Sequence, residues 1–403
     1  MKAIYLALLL FLSTIKALEY TGHDLVLNDD KTTIDGVTVT STPKYGVSYK
    51  NSVLTISESG SFILSGTLNG QISVSVSGEI DLIFNGATIK TSSTNALVIV
   101  KAYEMDSSSS MTPAIARNLD FSKAGVKIII ADGTTNTLNG AKSSSYDGAF
   151  HSAVTVLITG ETKGDGVLNV IGSSEGIEVE RHLCLSGGIL NVAAQDDGIN
   201  AKTDNVAVVF VKGGKLYVNS GLGSEGDGVD SNGYIFVEGG EIISSAKPNA
   251  DSGLDSNKGI YLDGGRVYAT GSSMDMAESG SAQPTMNLIF NSNVAASSTV
   301  VIKDSSGNEV ISFCANSAPF ISGTTRKAYK AAIVTDTTFK AKSVYHLYVD
   351  GVQYGYTNND KPSPGPGPGP WGNQSSSSNV GATVYADFTL GTGATYYNGI
   401  QKK

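Results

Sequence analysis

Between residues 180 and 270, apolar and polar positions alternate in short runs. Each run is broken by a glycine pair, at Gly187-Gly188, Gly213-Gly214, Gly239-Gly240 and Gly264-Gly265, so the steps are 26, 26 and 25 residues. A fixed period of this length is the signature of a repeat architecture. Aligned on the glycines, Leu183 and Leu185 match Val209 and Val211, Ile235 and Val237, and Ile260 and Leu262; after the glycines come Leu190, Leu216, Ile242 and Val267. Alternation places every second side chain on one face. Matching positions in successive repeats then stack into one interior, and the glycines permit tight corners. This pattern predicts an all-β fold, a parallel β-helix whose rungs are spaced by roughly 4.8 Å.

Less regular rungs keep the alternation at 78–102, 124–141 and 151–172. A segment at 103–121 interrupts it and reads as a loop leaving one corner, with a weak helical stretch from Met111 to Asn118. Residues 18–283 are therefore assigned to the β-helix, including an N-terminal cap over its first open edge. Beyond Gly280 the period stops. Hairpin signals at Ser306-Gly307 and Asp350-Gly351 mark 284–357 as a β-rich C-terminal closing unit. A Pro/Gly/Ser linker follows at 358–378, and 379–403 reads as a short tail. The one N-glycosylation sequon, at Asn373, falls in the linker.

Residues 1–17 have a basic start at Lys2, an apolar run to Leu12 and a small residue at Ala17, the pattern of a secretory signal peptide. The apolar run is too short for a spanning helix, so membrane insertion is not expected. Losing Lys2 and Lys16 would take the formal charge from −9 to −11. Such a surface repels phosphate backbones and argues against nucleic acid as a partner. Cys184 and Cys314 could form one disulfide after export, or remain two packed thiols.

The acidic residues are not scattered. Aligned on a second glycine, the residue before it is Asp147, Glu175, Asp197, Asp227 and then Ser252; three positions on come Phe150, Glu178, Asn200, Asp230 and Asp255. Asp196 and Asp251 sit one residue earlier. Stacked rungs would bring these carboxylates together, and two charges at about 4 Å repel by roughly 4 kcal/mol at an effective dielectric near 20. Protonation or a counter-cation must relieve this. Calcium takes carboxylate, amide and carbonyl oxygens, all offered here, whereas the His/Cys clusters that zinc prefers are missing from the sequence. A single Asp-Gly is ordinary turn chemistry, and Asp132-Gly133 and Asp165-Gly166, outside the column, are read as turns. The candidate calcium ligands are Asp147, Glu175, Asp196, Asp197, Asn200, Asp227, Asp230, Asp251 and Asp255.

Two outward rows carry aromatic residues, one with Phe210, Phe236 and Tyr261 beyond Cys184, the other with Tyr217 and Tyr268 on either side of Ile243. Rings stacked at rung spacing could pack against sugar faces. They could equally stack on one another or be covered by the closing unit.

The stretches "GSFILSGTLNGQISV" (60–74), "DGTTNTLNG" (132–140), "YDGAF" (146–150), "DDGIN" (196–200), "GDGVDSNGYIFVEGG" (226–240) and "VVIKDSSGNEVISF" (300–313) together resemble the calcium-dependent carbohydrate-binding β-helix proteins of cellulolytic clostridia, which look like pectate lyases. The resemblance covers most of residues 57–356. It implies a right-handed helix, calcium on the Asp-Gly columns, and binding of cellulose or an acidic polysaccharide such as pectin. Glu175 and Ser252 depart from its Asp-Gly pattern. It also raises an alternative, a pectate lyase, for which the basic candidates near the column are Lys202, Arg181, His182 and Lys258. The column repeats while no base repeats with it, which favours a binder over a lyase. A structural or adhesive surface protein is the third reading.

Overall fold

The computed structural model describes residues 21–357 and 386–403. The expected signal peptide, the linker with its sequon and the start of the tail lie outside these residues. The fold is all-β, with large parallel sheets of 25 and nine strands.

Parallel pairing follows the repeat. Val126–Ile130, Val156–Gly160, His182–Leu185, Val208–Val211, Tyr234–Val237 and Gly259–Leu262 form a first ladder. Thr135–Gly140, Val167–Gly172, Ile189–Ala194, Lys215–Asn219, Glu241–Ser245 and Arg266–Gly271 form a second. Leu97–Lys101, Gly148–Ser152, Glu175–Val179, Ile199–Ala201, Val229–Ser231 and Leu254–Ser256 form a third. The chain visits the three ladders in rotation and returns to the first one rung on.

The interior is the stack expected from the sequence. Leu183, Val209, Ile235 and Ile260 are direct partners on adjacent strands and are almost fully buried. Leu190, Leu216, Ile242 and Val267 form a second such line. Each buried aliphatic side chain contributes about 1.5–3 kcal/mol by leaving water. The second glycine of each pair turns the corner between these lines in the left-handed region, with φ of 75°, 74°, 77° and 80° at Gly188, Gly214, Gly240 and Gly265. A Cβ at Gly214 would lie 2.7 Å from the Gly188 carbonyl oxygen, so the close stacking also excludes a side chain there.

At the C-terminal end, Tyr329–Thr335 pairs antiparallel with Arg266–Gly271 and covers the edge of the last rung. Thr285–Val294 pairs with Tyr329–Thr335 in turn. Residues 386–403, from the span expected to be a short tail, pair with this closing unit. Ala394–Lys402 runs parallel to Thr285–Val294, and Phe388–Thr389 pairs with Val344–Val349. Tyr396 is buried there and donates its hydroxyl to the Ala277 carbonyl at 3.0 Å.

Both cysteines are free thiols, so the disulfide alternative is not realised. Cys184 is buried, which pushes its thiol up to about 12. Among the described residues no helix is long and apolar enough to cross a membrane.

Candidate functional site

The acidic column lies on the third ladder. Glu178, Asn200, Asp230 and Asp255 are direct Cα partners on successive strands. The glycines beside them are structural. A Cβ at Gly198 would sit 2.2 Å from a Val218 methyl and 2.5 Å from the Gly228 carbonyl. Glycine is required where adjacent corners touch, and the acid before it is held at the rim.

Backbone amides of neighbouring rungs fix these acids. Asp197 Oδ1 accepts from the Asp227 amide at 2.7 Å, Asp227 Oδ1 from Ser252 at 2.5 Å, and Asp251 Oδ2 from Gly226 at 2.8 Å. Asn200 Nδ2 donates to Glu175 Oε1 at 2.9 Å and to Asp197 Oδ2 at 3.4 Å. Two buried oxygens beside this contact, Glu175 Oε2 and Asn200 Oδ1, have no hydrogen-bond partner. The amide oxygen accepts, and Glu175 accepts when ionised, so a donor, a cation or a proton on Glu175 itself would satisfy the pair.

The electrostatics agree with that geometry. Burial pushes Glu175 up to about 8, against the hydrogen bond from Asn200 and with the added repulsion of Glu178 and Asp197. Burial likewise raises Asp197 to about 7 and Asp230 to about 8. Asp227 and Asp255 are both raised, by burial first and then by neighbouring aspartates. Asp196 and Asp251 are raised by burial and by Glu225.

Asp147 stands apart, since its carboxylate pairs with Lys142. Conversely, Asp275 belongs to the cluster although the glycine alignment misses it. Burial and Asp255 raise it to about 8, and its carboxylate accepts from Ser256 at 2.9 Å. Its segment, "SMDMAES", has no glycine, but an acid one rung beyond Asp255 was the available signal.

Glu178, in the same row, is a different kind of acid. Burial opposes its charge. Contacts from His151 and Lys202 and the Gly148 amide outweigh that cost and hold it down at about 2. Lys202 Nζ donates to its Oε1 at 2.5 Å, and His151 Nδ1 lies 3.2 Å from its Oε2. The His151 ring stacks on Tyr146 with centroids 3.7 Å apart. His151, Glu178 and Glu180 bring potential ligand atoms within 4.8 Å of one another, but Glu178 is already neutralised by Lys202.

The lyase candidates fare unevenly. Burial opposes the Lys202 ammonium, yet Glu178 more than offsets this and its pKa is raised. That keeps the proton on, the reverse of what a base needs. Arg181 is not a free base either. Its guanidinium donates to Asp106 and to the Ser108 carbonyl, at 3.1 and 3.0 Å, and His182 Nε2 contacts the same Asp106 carboxylate at 3.1 Å. This pair anchors the 103–121 segment. Lys258 is exposed at a corner.

The aromatic rows do not form an open strip. Phe210 and Phe236 are fully buried, and Tyr261 is half-buried. Their cover is the interrupting segment, which the sequence read as a loop. It carries a short helix, Pro113–Arg117, capped by Thr112 and started by proline. Met111, Ala116, Leu119 and Phe121 pack on Cys184, Phe210 and Phe236. Arg117 lies over Phe236 and Tyr261 at 4.9 and 4.7 Å from their centroids and pairs with Asp263 at 2.8 Å. The second row is covered by the closing unit. Tyr268 stacks on Phe313 at 3.9 Å, and Tyr217 donates to Glu241 at 2.5 Å. Sugar rings therefore have no access to Phe210, Phe236, Tyr217 or Tyr268 in this structure. Arg117→Ala should loosen the cover, with a loss of about 1–2 kcal/mol from the cation–π contacts and the partly exposed ion pair. Faster chymotryptic cleavage beside Phe121, with a small drop in unfolding midpoint, would show it; unchanged cleavage would mean the apolar contacts suffice.

A family model described as carbohydrate-binding domain-containing protein matches residues 50–109 and 105–325, well over half of the chain. The chain belongs to this carbohydrate-binding domain family. The matched span contains the whole acidic column and the covered aromatic rows. No curated protein matches the sequence. Among solved structures, this family member is similar to the polysaccharide lyase-like protein from C. thermocellum, solved as a gadolinium derivative, at 21% identity and a TM-score of 0.43, over 63% of this chain and 95% of that one.

Proposed function

We propose that this is an exported, non-catalytic protein that binds polysaccharide with the help of calcium held on the acidic column. The three ladders are read as the faces of a right-handed parallel β-helix, the hand that crossovers between parallel strands almost always take. Membership of a carbohydrate-binding domain family supports the ligand class. The observation that carries the calcium reading is the pair of orphaned oxygens, Glu175 Oε2 and Asn200 Oδ1, buried among carboxylates that burial pushes upward. Glu175, Asp197, Asn200, Asp227, Asp230 and Asp255 would hold the ion or ions, with Asp275 at the end. Hard oxygen donors of this kind suit calcium, which accepts six to eight of them in flexible geometry. Bound there, calcium would offset the repulsion within the column and offer an open coordination position to a sugar carboxylate. Asp196 and Asp251, each one residue before the aligned position, are half-buried beside the column.

The lyase alternative finds less support. Lys202 is held as an ammonium by Glu178, and Arg181 is committed to Asp106. The test is retention of the purified protein on cellulose and on polygalacturonate gels, with calcium or with chelator, while absorbance is followed for unsaturated product. Asp197→Ala should abolish calcium-dependent retention. Lys202→Ala should change it by no more than about threefold, since one partly exposed ion pair contributes little. No product is expected between about pH 6 and 10, the range in which a lysine or arginine base would work. Product formation that disappears in Lys202→Ala would replace binder by lyase.

A further inference from the structure

Two earlier strands, Gly60–Asn69 and Ile80–Lys90, extend the second ladder, and at or one residue before the strand ends lies a row that neither the acidic column nor the aromatic rows include. Asn69 pairs with Lys90, Lys90 with Asn139, and Asn139 with Ile171, each the direct Cα partner of the next. Asn69, Lys90 and Asn139 are exposed, and Ile171 is half-buried. With Ser173 and Gln195 from the following turns, they line an open groove of about 820 Å³. The groove crosses the rungs rather than following a strand. Four rungs at roughly 4.8 Å give it a length of about 14 Å. Rung spacing is close to the length of one pyranose residue in an extended chain, so consecutive sugars can meet equivalent positions on consecutive rungs.

Given the carbohydrate-binding function proposed above, on which the assignment rests, we infer that this groove is the glycan-binding site and that its ligand is an extended, uronate-bearing polysaccharide. Three observations select that ligand. First, among the described residues no aromatic ring lines the groove, and most of the rings that could stack on a flat neutral glucan are covered elsewhere. A groove without rings must hold its ligand by hydrogen bonds and charge, which suits a polar, charged chain. Second, Lys90 stands exposed in the middle of the row, on a chain whose formal charge is −9. Third, the groove ends at Gln195, whose next neighbours in sequence are Asp196 and Asp197. A uronate chain leaving the groove would thus arrive at the acidic column, where only a bridging cation lets carboxylates of protein and sugar approach.

Calorimetric titration of the full chain with oligogalacturonides and with cello-oligosaccharides, in calcium, tests the assignment. Oligogalacturonides should bind more tightly. Asn139→Trp, which fills the groove from an exposed position, should weaken them by about tenfold or more. Lys90→Gln should weaken them while leaving cello-oligosaccharide binding unchanged. Both variants should keep the wild-type melting temperature and the wild-type calcium response, which separates groove from column and shows that they are folded. Full oligogalacturonide affinity in Asn139→Trp would overturn the groove assignment and leave the carbohydrate-binding function standing. Tighter binding of cello-oligosaccharides would overturn the choice of a uronate ligand. Failure of the wild type to bind either series would overturn the groove and the proposed function together.

Discussion

Metal-free protein should lose stability steadily as pH rises from about 4 to about 8, and calcium should remove most of that loss. The cause is the acidic column. Glu175 is raised to about 8, Asp197 to about 7, and Asp230 and Asp275 to about 8, mainly by burial. In the unfolded chain, Asp and Glu titrate near 3.9 and 4.3, so through this interval the folded state binds more protons than the unfolded one. Stability then falls with pH; below the unfolded values both states are protonated and no cost arises. Glu178 has the opposite sign and a separate window. Its folded value is about 2, so its contribution is lost only as pH falls from about 4 toward 2. An ion that binds only the folded state stabilises by mass action, which should be largest where the column is most ionised. Melting temperatures across this range, with chelator, calcium or magnesium, measure the effect. Calcium should exceed magnesium, which demands a tighter octahedral site. The double variant Asp197→Asn, Asp230→Asn should make the metal-free profile shallower, with Glu175 and Asp275 still contributing, and abolish the calcium response. A flat metal-free profile in the wild type, with no calcium in the purified protein, would remove the cation hypothesis.

Ile235→Asp should leave no folded protein. Ile235 is 1% exposed and sits directly between Val209 and Ile260 on the first ladder. An aspartate there would be an unpaired charge in a hydrocarbon stack, costing several kcal/mol beyond the lost apolar burial, against a total stability of roughly 5–15 kcal/mol. Circular dichroism and solubility after expression report the outcome. The milder Ile235→Ala should fold but unfold about 2–5 kcal/mol more readily in denaturant. A soluble Ile235→Asp variant with the wild-type melting curve would mean that the strand is shifted by one residue, which turns every side chain to the other face.

That register was readable in the sequence because a parallel stack repeats its demands. The same inward position asks for an aliphatic residue at Leu183, Val209, Ile235 and Ile260, and the same corner asks for glycine at Gly188, Gly214, Gly240 and Gly265. The acidic column was legible for the same reason, and Asp275 escaped because its rung lacks the glycine used to align the others. What covers the outward rows was not legible for the first of them. Alternation states that Phe210 and Phe236 point outward, but not that a segment entering the chain at residue 103 folds back over them. That segment has no period, and its contacts reach partners as distant as Asp263. The closing strand Ala394–Lys402 was hidden likewise, since its pairing with Thr285–Val294 joins segments more than a hundred residues apart. The groove row was missed because its members, Asn69, Lys90 and Asn139, recur at no fixed period; only register shows that they align.

The anchoring of the 103–121 segment also bears on how the molecule comes apart. In a stack where each rung touches only its neighbours, the ends can unzip while the middle survives, as in a one-dimensional chain of coupled units. Here Arg181 and His182 grip Asp106, the Met111 amide donates to the Asn205 carbonyl at 3.2 Å, and Arg117 reaches Asp263. One short segment is thus fastened across rungs from His182–Leu185 to Gly259–Leu262. It works as a longitudinal brace. With the brace in place, amides of these rungs should exchange with solvent in a single opening event; cutting it at Asp106 and Arg117 should split that event into separate, rung-by-rung openings.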